Sequence, residues 1–297
     1  MNLGLEEARL RMVELIRGLA PPEGQSATPI PGVMLMHGCR PMARTPVIYE
    51  PGIAVLVQGR KRGYLGGQLF EYDQRNYLVT SVPMPFEVET IASPDEPLLG
   101  VKMRIELAML AELLLEMDER LPESGSSPRG LYATPLNAAM SGTVIRLLEA
   151  LADPVDARIL GPQLARELLY RVLCGEQGGA LRALATRTSH CGRGKVLRRV
   201  HAEYSCELDV ESLAEEASMS VSAFHHHFKA VTSTSPLQYI KTIRLHQARL
   251  LMVQEGLNAS IAAQRVGYES PSQFSREFKR LFGNSPSAEA DRVRATS

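Results

Sequence analysis

The chain has 297 residues, 44% apolar and 22% charged, with 33 Lys and Arg against 33 Asp and Glu. That composition excludes disordered, collagen-like and coiled-coil chains, and the length points to two domains of roughly 100–200 residues each. No run approaches the ~20 consecutive apolar residues of a membrane span.

The opening segment, MNLGLEEARLRMVELIRGLA, is patterned as an amphipathic helix carrying acids, so no secretory signal is expected. Residues 20–32 form a loop rich in Pro and Gly. Short β-branched or alternating runs follow at 47–49, 53–58, 64–65, 68–72, 77–82, 86–91 and 98–105. Turn signals such as Pro51-Gly52, Gly66-Gly67 and Pro94 separate them, and the spacing predicts an antiparallel sandwich or small barrel. From Glu106 the period becomes helical, with helices expected over 107–117, 136–151 and 156–173. The last carries Leu160, Leu164, Leu168 and Val172 along one face, as internal core or as a dimer seam. Loops are expected at 122–130 and 175–194. From Lys195 onward everything reads as helical, with breaks at 205–207, 219–220, 233–236, Gly256, Gly267 and Gly283.

The expected fold class is therefore α+β. Residues 1–181 would form an N-terminal domain (barrel about 30–105, helices about 106–175) and 182–194 a linker. Residues 195–297 would form an all-α domain. Charge divides along the same line. Residues 1–181 hold 17 basic and 22 acidic side chains, a net of −5, and the remainder holds 16 and 11, a net of +5. A basic C-terminal third joined to an acidic part suits a module that binds a polyanion, though a solvated basic face has the same signature.

The most specific feature is an internal repeat at an offset of fifty residues. Ser220–Pro236, SVSAFHHHFKAVTSTSP, aligns with Ser270–Pro286, SPSQFSREFKRLFGNSP, with seven of seventeen positions identical. Each block follows a short helix and a tight turn, so each unit is helix, turn, helix, at about 209–231 and 259–282. Ser220 and Ser270 suit the N-caps of the second helices. Phe224 with Phe228, and Phe274 with Phe278, at i and i+4, bury one face against the first helices. At 100° per residue the opposite faces carry Ser222, His226 and Lys229, flanked by His225, and Ser272, Arg276 and Lys279, flanked by Gln273 and Ser275. These small, polar or basic groups are the types that read base edges and phosphates. Between the units, LQYIKTIRLHQARLLMV reads as one continuous helix. Such a connector would hold two recognition helices for successive major-groove turns, about 34 Å apart.

At these residues the sequence closely resembles the AraC/XylS family of bacterial transcription regulators. VGYESPSQFSREFKRLFGNSP (Val266–Pro286) is similar to the family's second helix-turn-helix signature, and LAEEASMSVSAFHHHFKAVTSTSPLQYIKTIRL (Leu213–Leu245) to its first unit and linker helix. The resemblance implies DNA contact by the outward positions computed above, although His226 stands where many relatives carry Arg. Residues about 30–180 resemble more weakly the family's cupin-like, effector-sensing and dimerising domain. The resemblance implies a cytoplasmic homodimer that binds double-stranded DNA, answers a small-molecule effector, contacts RNA polymerase and acts as an activator.

His225, His226 and His227 diverge by 100° per residue and cannot converge on one metal ion. The first 181 residues contain a single histidine, His37. A cupin-type metal enzyme with a DNA-targeting domain is thus the weaker alternative, and neither cofactor nor metal is expected. An effector-independent DNA-binding regulator is the other alternative. The four cysteines, Cys39, Cys174, Cys191 and Cys206, lack CxxC spacing and read as reduced thiols rather than a disulfide frame or zinc site. Cys39, beside Arg40, could be a thiol of lowered pKa that senses electrophiles, or could simply pack at a strand edge.

Overall fold

A computed structural model describes residues 4–117, 130–175, 178–179, 181–182 and 193–296. Helix α1 (Leu5–Gly18) buries Ala8, Met12, Val13 and Ile16, which recur at steps of three and four along one stripe. Glu6 and Glu7 in its first turn and Arg17 in its last complement the helix dipole.

Strands β1 (Gly24–Ala27), β2 (Val33–Gly38), β3 (Met42–Tyr49), β4 (Gly52–Gln58) and β5 (Arg60–Leu65) come next. They continue as β6 (Gln68–Tyr72), β7 (Asn76–Thr80), β8 (Met84–Ile91) and β9 (Leu98–Arg104). After α2 (Leu107–Glu116), β10 (Leu131–Pro135) returns to the sheet. One sheet has the order β1-β2-β9-β4-β7-β10 and the other β3-β8-β5-β6. Pairing is antiparallel, with Val55 opposite Val101 and Tyr77 in the first sheet and Lys61 opposite Tyr72 and Thr90 in the second.

Strand β4 is buried from Gly52 to Val57, as a strand covered on both faces must be. Ile53, Val55 and Val57 enter a core with Met12 and Ile16 of α1, and alternation turns Ala54 and Leu56 toward the opposite sheet. Helices α3 (Ala138–Ala150), α4 (Pro154–Ile159) and α5 (Gly161–Cys174) complete that core through Val144, Leu148, Leu168 and Val172.

Several features depart from the sequence reading, and β2 and the start of β3 both precede the first expected run at 47–49. β1 lies inside the expected Pro/Gly loop, because its backbone pairs with β2 while its own side chains stay largely exposed. β10 lies beyond α2 and extends the first sheet beside β7, a long-range pairing that leaves no local signal. The helix expected over 156–173 is broken at Leu160. Pro162 opens α5 and has no N–H to continue α4. Leu160 is consequently exposed, Leu164 is half-buried, and only Leu168 and Val172 of that stripe are fully in the core. The expected loop at 122–129 and the linker stretch 183–192 lie outside the described residues.

The chain divides into two compact units, 1–44 with 49–186, and 187–297 with 45–48. The second is built from α6 (Arg193–Ala202), α7 (Val210–Glu216), α8 (Val221–Thr232), α9 (Pro236–Gln254), α10 (Ala259–Arg265), α11 (Pro271–Phe282) and α12 (Pro286–Thr296). No helix of the described residues is long and apolar enough to cross a membrane.

Candidate nucleic-acid interface

The two helix-turn-helix units repeat in hydrogen bonds as well as in letters. The Ala223 N–H donates to Ser220 Oγ and the Gln273 N–H to Ser270 Oγ, each at 3.3 Å, so both second helices carry the expected caps. Asp209 and Asn258 cap the first helices in the same way, accepting from Ser212 and Ile261. Both turns close alike. Met219 N–H donates to the Ala214 carbonyl and Tyr268 N–H to the Ala263 carbonyl, each at 2.9 Å, across Ser218 and Gly267 in the left-handed region. Both second helices end on a left-handed residue, Ser233 or Gly283. The repeat extends into the following helices, where Ser235 and Ser285 cap α9 and α12.

The Phe pairs fix which way each second helix turns. Phe224, Phe228, Phe274 and Phe278 are all buried, and the rings of each pair lie 5.5 Å and 5.4 Å apart. Phe274 and Phe278 join Ala262 and Ala263 of α10, and Val266 just after it, in one cluster with Leu245 and Met252 of α9. With those faces inward, Ser222, His225, His226 and Lys229 of α8 are exposed. So are Ser272, Gln273, Ser275, Arg276 and Lys279 of α11. His227 is half-buried while His225 and His226 are exposed, as their 100° divergence requires.

Several basic residues of this unit have partners within it. Lys241 pairs with Glu277, Arg249 with the buried Glu289 and Arg265 with Glu255. Arg244 donates to the carbonyls of Tyr204, Cys206 and Gly267, bracing α9 against the turn of the second unit. By contrast, Lys229, Arg276, Lys279 and Arg280 are exposed and make no hydrogen bond or ion pair among the described residues. Lys241, Arg244 and Arg249 are thus committed to the fold, and Arg265 to an exposed pair with Glu255. The basic side chains on the outer faces of α8 and α11 keep all their donors.

Arg280 was not singled out in the sequence, yet it lies four residues on from Arg276 along the same face. Gln273 is partly committed, since its side-chain amide donates to Glu277 Oε1 at 3.1 Å. Burial alone would raise the Glu277 carboxyl, but hydrogen bonds from Lys241, Tyr268 and Gln273 outweigh it and hold its pKa below the ordinary value. Glu277 thereby ties α11 to α9. No sequence pattern announces that role, because its partners come from two other segments.

Cys39 lies apart from this interface. It is half-buried at the end of β2, with Sγ 3.2 Å from His37 Nε2, while His37 Nδ1 sits 2.9 Å from the Pro21 carbonyl.

Matched caps, matched turns and an uncommitted basic outer face define a protein with two paired helix-turn-helix units. Residues 29–180 match the family described as AraC-type transcriptional regulator N-terminus, and 213–292 match a helix-turn-helix domain. The chain belongs to the AraC/XylS family of transcriptional regulators. It is 37% identical over 101 residues to the HTH-type transcriptional regulator AlkR of Acinetobacter baylyi, covering 34% of this chain and 33% of AlkR. It is 28% identical over 179 residues to the HTH-type transcriptional activator RhaS of Salmonella agona, covering 59% and 63%. A longer match, 23% over 245 residues, covers 80% of this chain and 88% of the thermoregulatory protein LcrF of Yersinia pestis. The chain thus spans about a third of the length of AlkR, and 30% of the activator RclR of Escherichia coli, which is 40% identical over 85 residues. Among solved structures, apo ToxT of Vibrio cholerae shares the fold with a TM-score of 0.55 at 11% identity, covering 91% of this chain and 98% of ToxT.

Proposed function

We propose that this protein is a sequence-specific transcription regulator that reads duplex DNA through the outer faces of α8 and α11. The observation that carries this reading is the division of the basic residues: Lys229, Arg276, Lys279 and Arg280 keep their donors while their neighbours are spent inside the fold. Arg276 has the fork geometry for a guanine edge, and Lys229 and Lys279 suit phosphates. Ser222, His225, His226, Ser272, Gln273 and Ser275 complete the reading faces. The protein works as a cytoplasmic homodimer and an activator, with RNA polymerase as its partner. Its N-terminal unit, residues 1–181 ahead of a linker at 182–194, senses a small-molecule or stress signal. The signal acts by shifting the population between DNA-binding geometries.

Footprinting on genomic fragments, with and without candidate effectors, tests this. The expected result is paired protection about one helical turn apart whose strength changes with an effector. Equal affinity for random and genomic DNA would refute specific reading. Protection that no metabolite alters would leave the regulator and remove the sensor.

The proximity of Cys39 to His37 supports a second route of sensing, in which the thiol reacts with electrophiles. Cys39→Ser should abolish any response to aldehydes or oxidants, and an unchanged response removes that route.

A further inference from the structure

Glu277 is half-buried on α11, one turn beyond Gln273, and three donors converge on its carboxylate. Lys241 Nζ of α9 donates to Oε1 at 2.8 Å, and the Tyr268 hydroxyl, from the turn before α11, donates to Oε2 at 2.7 Å. The third donor is the side-chain amide of Gln273, whose Nε2 lies 3.1 Å from Oε1. Tyr268 is itself fixed by packing, buried with its ring edge-on to Phe274 at 5.3 Å. The helix-turn-helix frame does not need this arrangement, because Ala223, His227 and Ser218 stand at the matching positions of the first unit.

The contact decides which way the Gln273 amide faces. An ionised carboxylate accepts and does not donate, so the NH2 end of Gln273 must meet it and the carbonyl oxygen must face away. Gln273 is exposed in the first turn of α11, with its backbone N–H held by Ser270 Oγ. Among the described residues nothing donates to its side-chain carbonyl. One N–H of the amide is spent on Glu277 and one remains, so the free edge offers an acceptor and a donor side by side. In the major groove adenine presents the complement, an N6 amine that donates and an N7 that accepts. Cytosine offers only an amine, thymine only an acceptor, and guanine two acceptors, N7 and O6. Guanine would set O6 against the Gln273 carbonyl. Turning the amide over would set that carbonyl against Glu277 instead. Either way two acceptors meet with no proton between them.

We propose that Glu277 determines specificity through Gln273: by holding the amide in one orientation, it makes α11 select adenine over guanine at one base pair of the target. Glu277 touches no base and is a positioning residue. The inference rests on the reading of α11 as a DNA-facing helix, and names the base that one of its residues selects.

The test offers the full-length protein duplexes with a randomised core and measures the enriched sequence by fluorescence anisotropy. Gln273→Ala, at an exposed site, locates the base pair. The parent should prefer adenine to guanine there by about tenfold or more, and the variant should lose that preference at that pair alone. Glu277→Gln, whose amide offers Gln273 either a donor or an acceptor, should bring the ratio to within about threefold at the same pair and keep the preferences elsewhere. A merely structural role would weaken all four bases alike and leave the ratio unmoved. Should Glu277→Gln fail to fold, base analogues test the parent protein. Purine, which lacks the N6 amine, and 7-deazaadenine, which lacks N7, should each weaken the parent in place of that adenine and leave Gln273→Ala unaffected. The proposal is overturned if Gln273→Ala alters no pair, if the base there is not adenine, if the ratio survives in Glu277→Gln, or if the parent binds the analogues like adenine. Arg276→Ala separates the two readings. Discrimination lost in Arg276→Ala, with the Gln273 ratio unmoved by Glu277→Gln, keeps α11 on the DNA and removes the positioning role. No enriched sequence, or one that neither Gln273→Ala nor Arg276→Ala changes, removes both.

Discussion

The two helix-turn-helix units share a frame and differ in what they present. Caps, turns, Phe pairs and left-handed termini recur at matching positions. The outer face changes: His226, His225, Ala223 and Ala230 in the first unit stand where Arg276, Ser275, Gln273 and Arg280 stand in the second. The backbone devices differ too. The second unit places Gly267 and Gly283 at its left-handed positions, where the first places Ser218 and Ser233. A side chain at positive φ is strained, so the first unit carries a conformational cost that the second avoids. Interior requirements are therefore repeated closely while the outer face is free to diverge, and the second unit holds the larger share of outward-facing donors.

The cores give the largest expected effect. Phe278→Ala should destabilise the helical unit by about 3–5 kcal/mol and abolish DNA binding, with Phe228→Ala close behind. Thermal unfolding of both variants measures it. A loss confined to one unit would show that the two cores are less alike than their geometry.

The turns come next. A Cβ at Gly267 would lie 2.4 Å from the Ser205 carbonyl oxygen, at a φ of +83°. Gly267→Ala should cost on the order of 2–4 kcal/mol, backbone strain and the clash adding together. Ser218→Gly at the matching turn should be neutral or stabilising, and the opposite ranking would break the equivalence of the turns.

The reading faces should differ in kind. Arg276→Ala should lose about 1–3 kcal/mol on a specific site and relax discrimination there, and His226→Ala should lose less. Lys279→Ala should weaken all sequences alike and reduce the salt slope by about one. Anisotropy titrations on specific and random duplexes at several salt concentrations separate these. Equal loss on both duplexes would move Arg276 to the phosphates.

Acid should destabilise both units through one histidine beneath each, half-buried His201 and buried His246. Burial lowers His201, under the first unit and 2.8 Å from Tyr239 Oη, to a pKa of about 4. Burial, then Arg249, lowers His246 to about 3 in the second, where it packs edge-on against Phe282. Both are neutral in the folded chain, whereas the unfolded chain takes up protons near 6.5. Stability from these groups is complete above about pH 6.5 and falls as the pH drops toward 4 and 3, by about 1.4 kcal/mol per unit for each histidine. Unfolding followed from pH 7 to 5 measures the slope, and His246→Leu should flatten it.

The smallest effect is expected at the helix ends. Ser233→Gly should stabilise by about 0.5–1 kcal/mol by relieving the left-handed serine. No gain in the midpoint of thermal unfolding would mean that Ser233 is not strained.

The helical unit was the more legible part of the chain because its rules are local. Caps at Ser220 and Ser270, Phe pairs at i and i+4 and the 100° step place the outward residues without knowledge of distant segments. Arg280 was within reach of the same step. Glu277 was not, since Lys241 and Tyr268 meet it only after α9 and α11 pack.

Resemblance to the helix-turn-helix signatures at 213–245 and 266–286 carries the family, whereas short-range periodicity and spacing carry the strand-rich first half, the helical last third and the outward faces of α8 and α11. Tertiary structure decided the pairing of β1 with β2, the placing of β10 beside β7, the break at Leu160 before Pro162, and which basic residues are spent. It also gathered Lys241, Tyr268 and Gln273 around Glu277. The physical reason is the same throughout: strand pairing and side-chain partnership join residues far apart in sequence, and no local pattern records which partner will arrive.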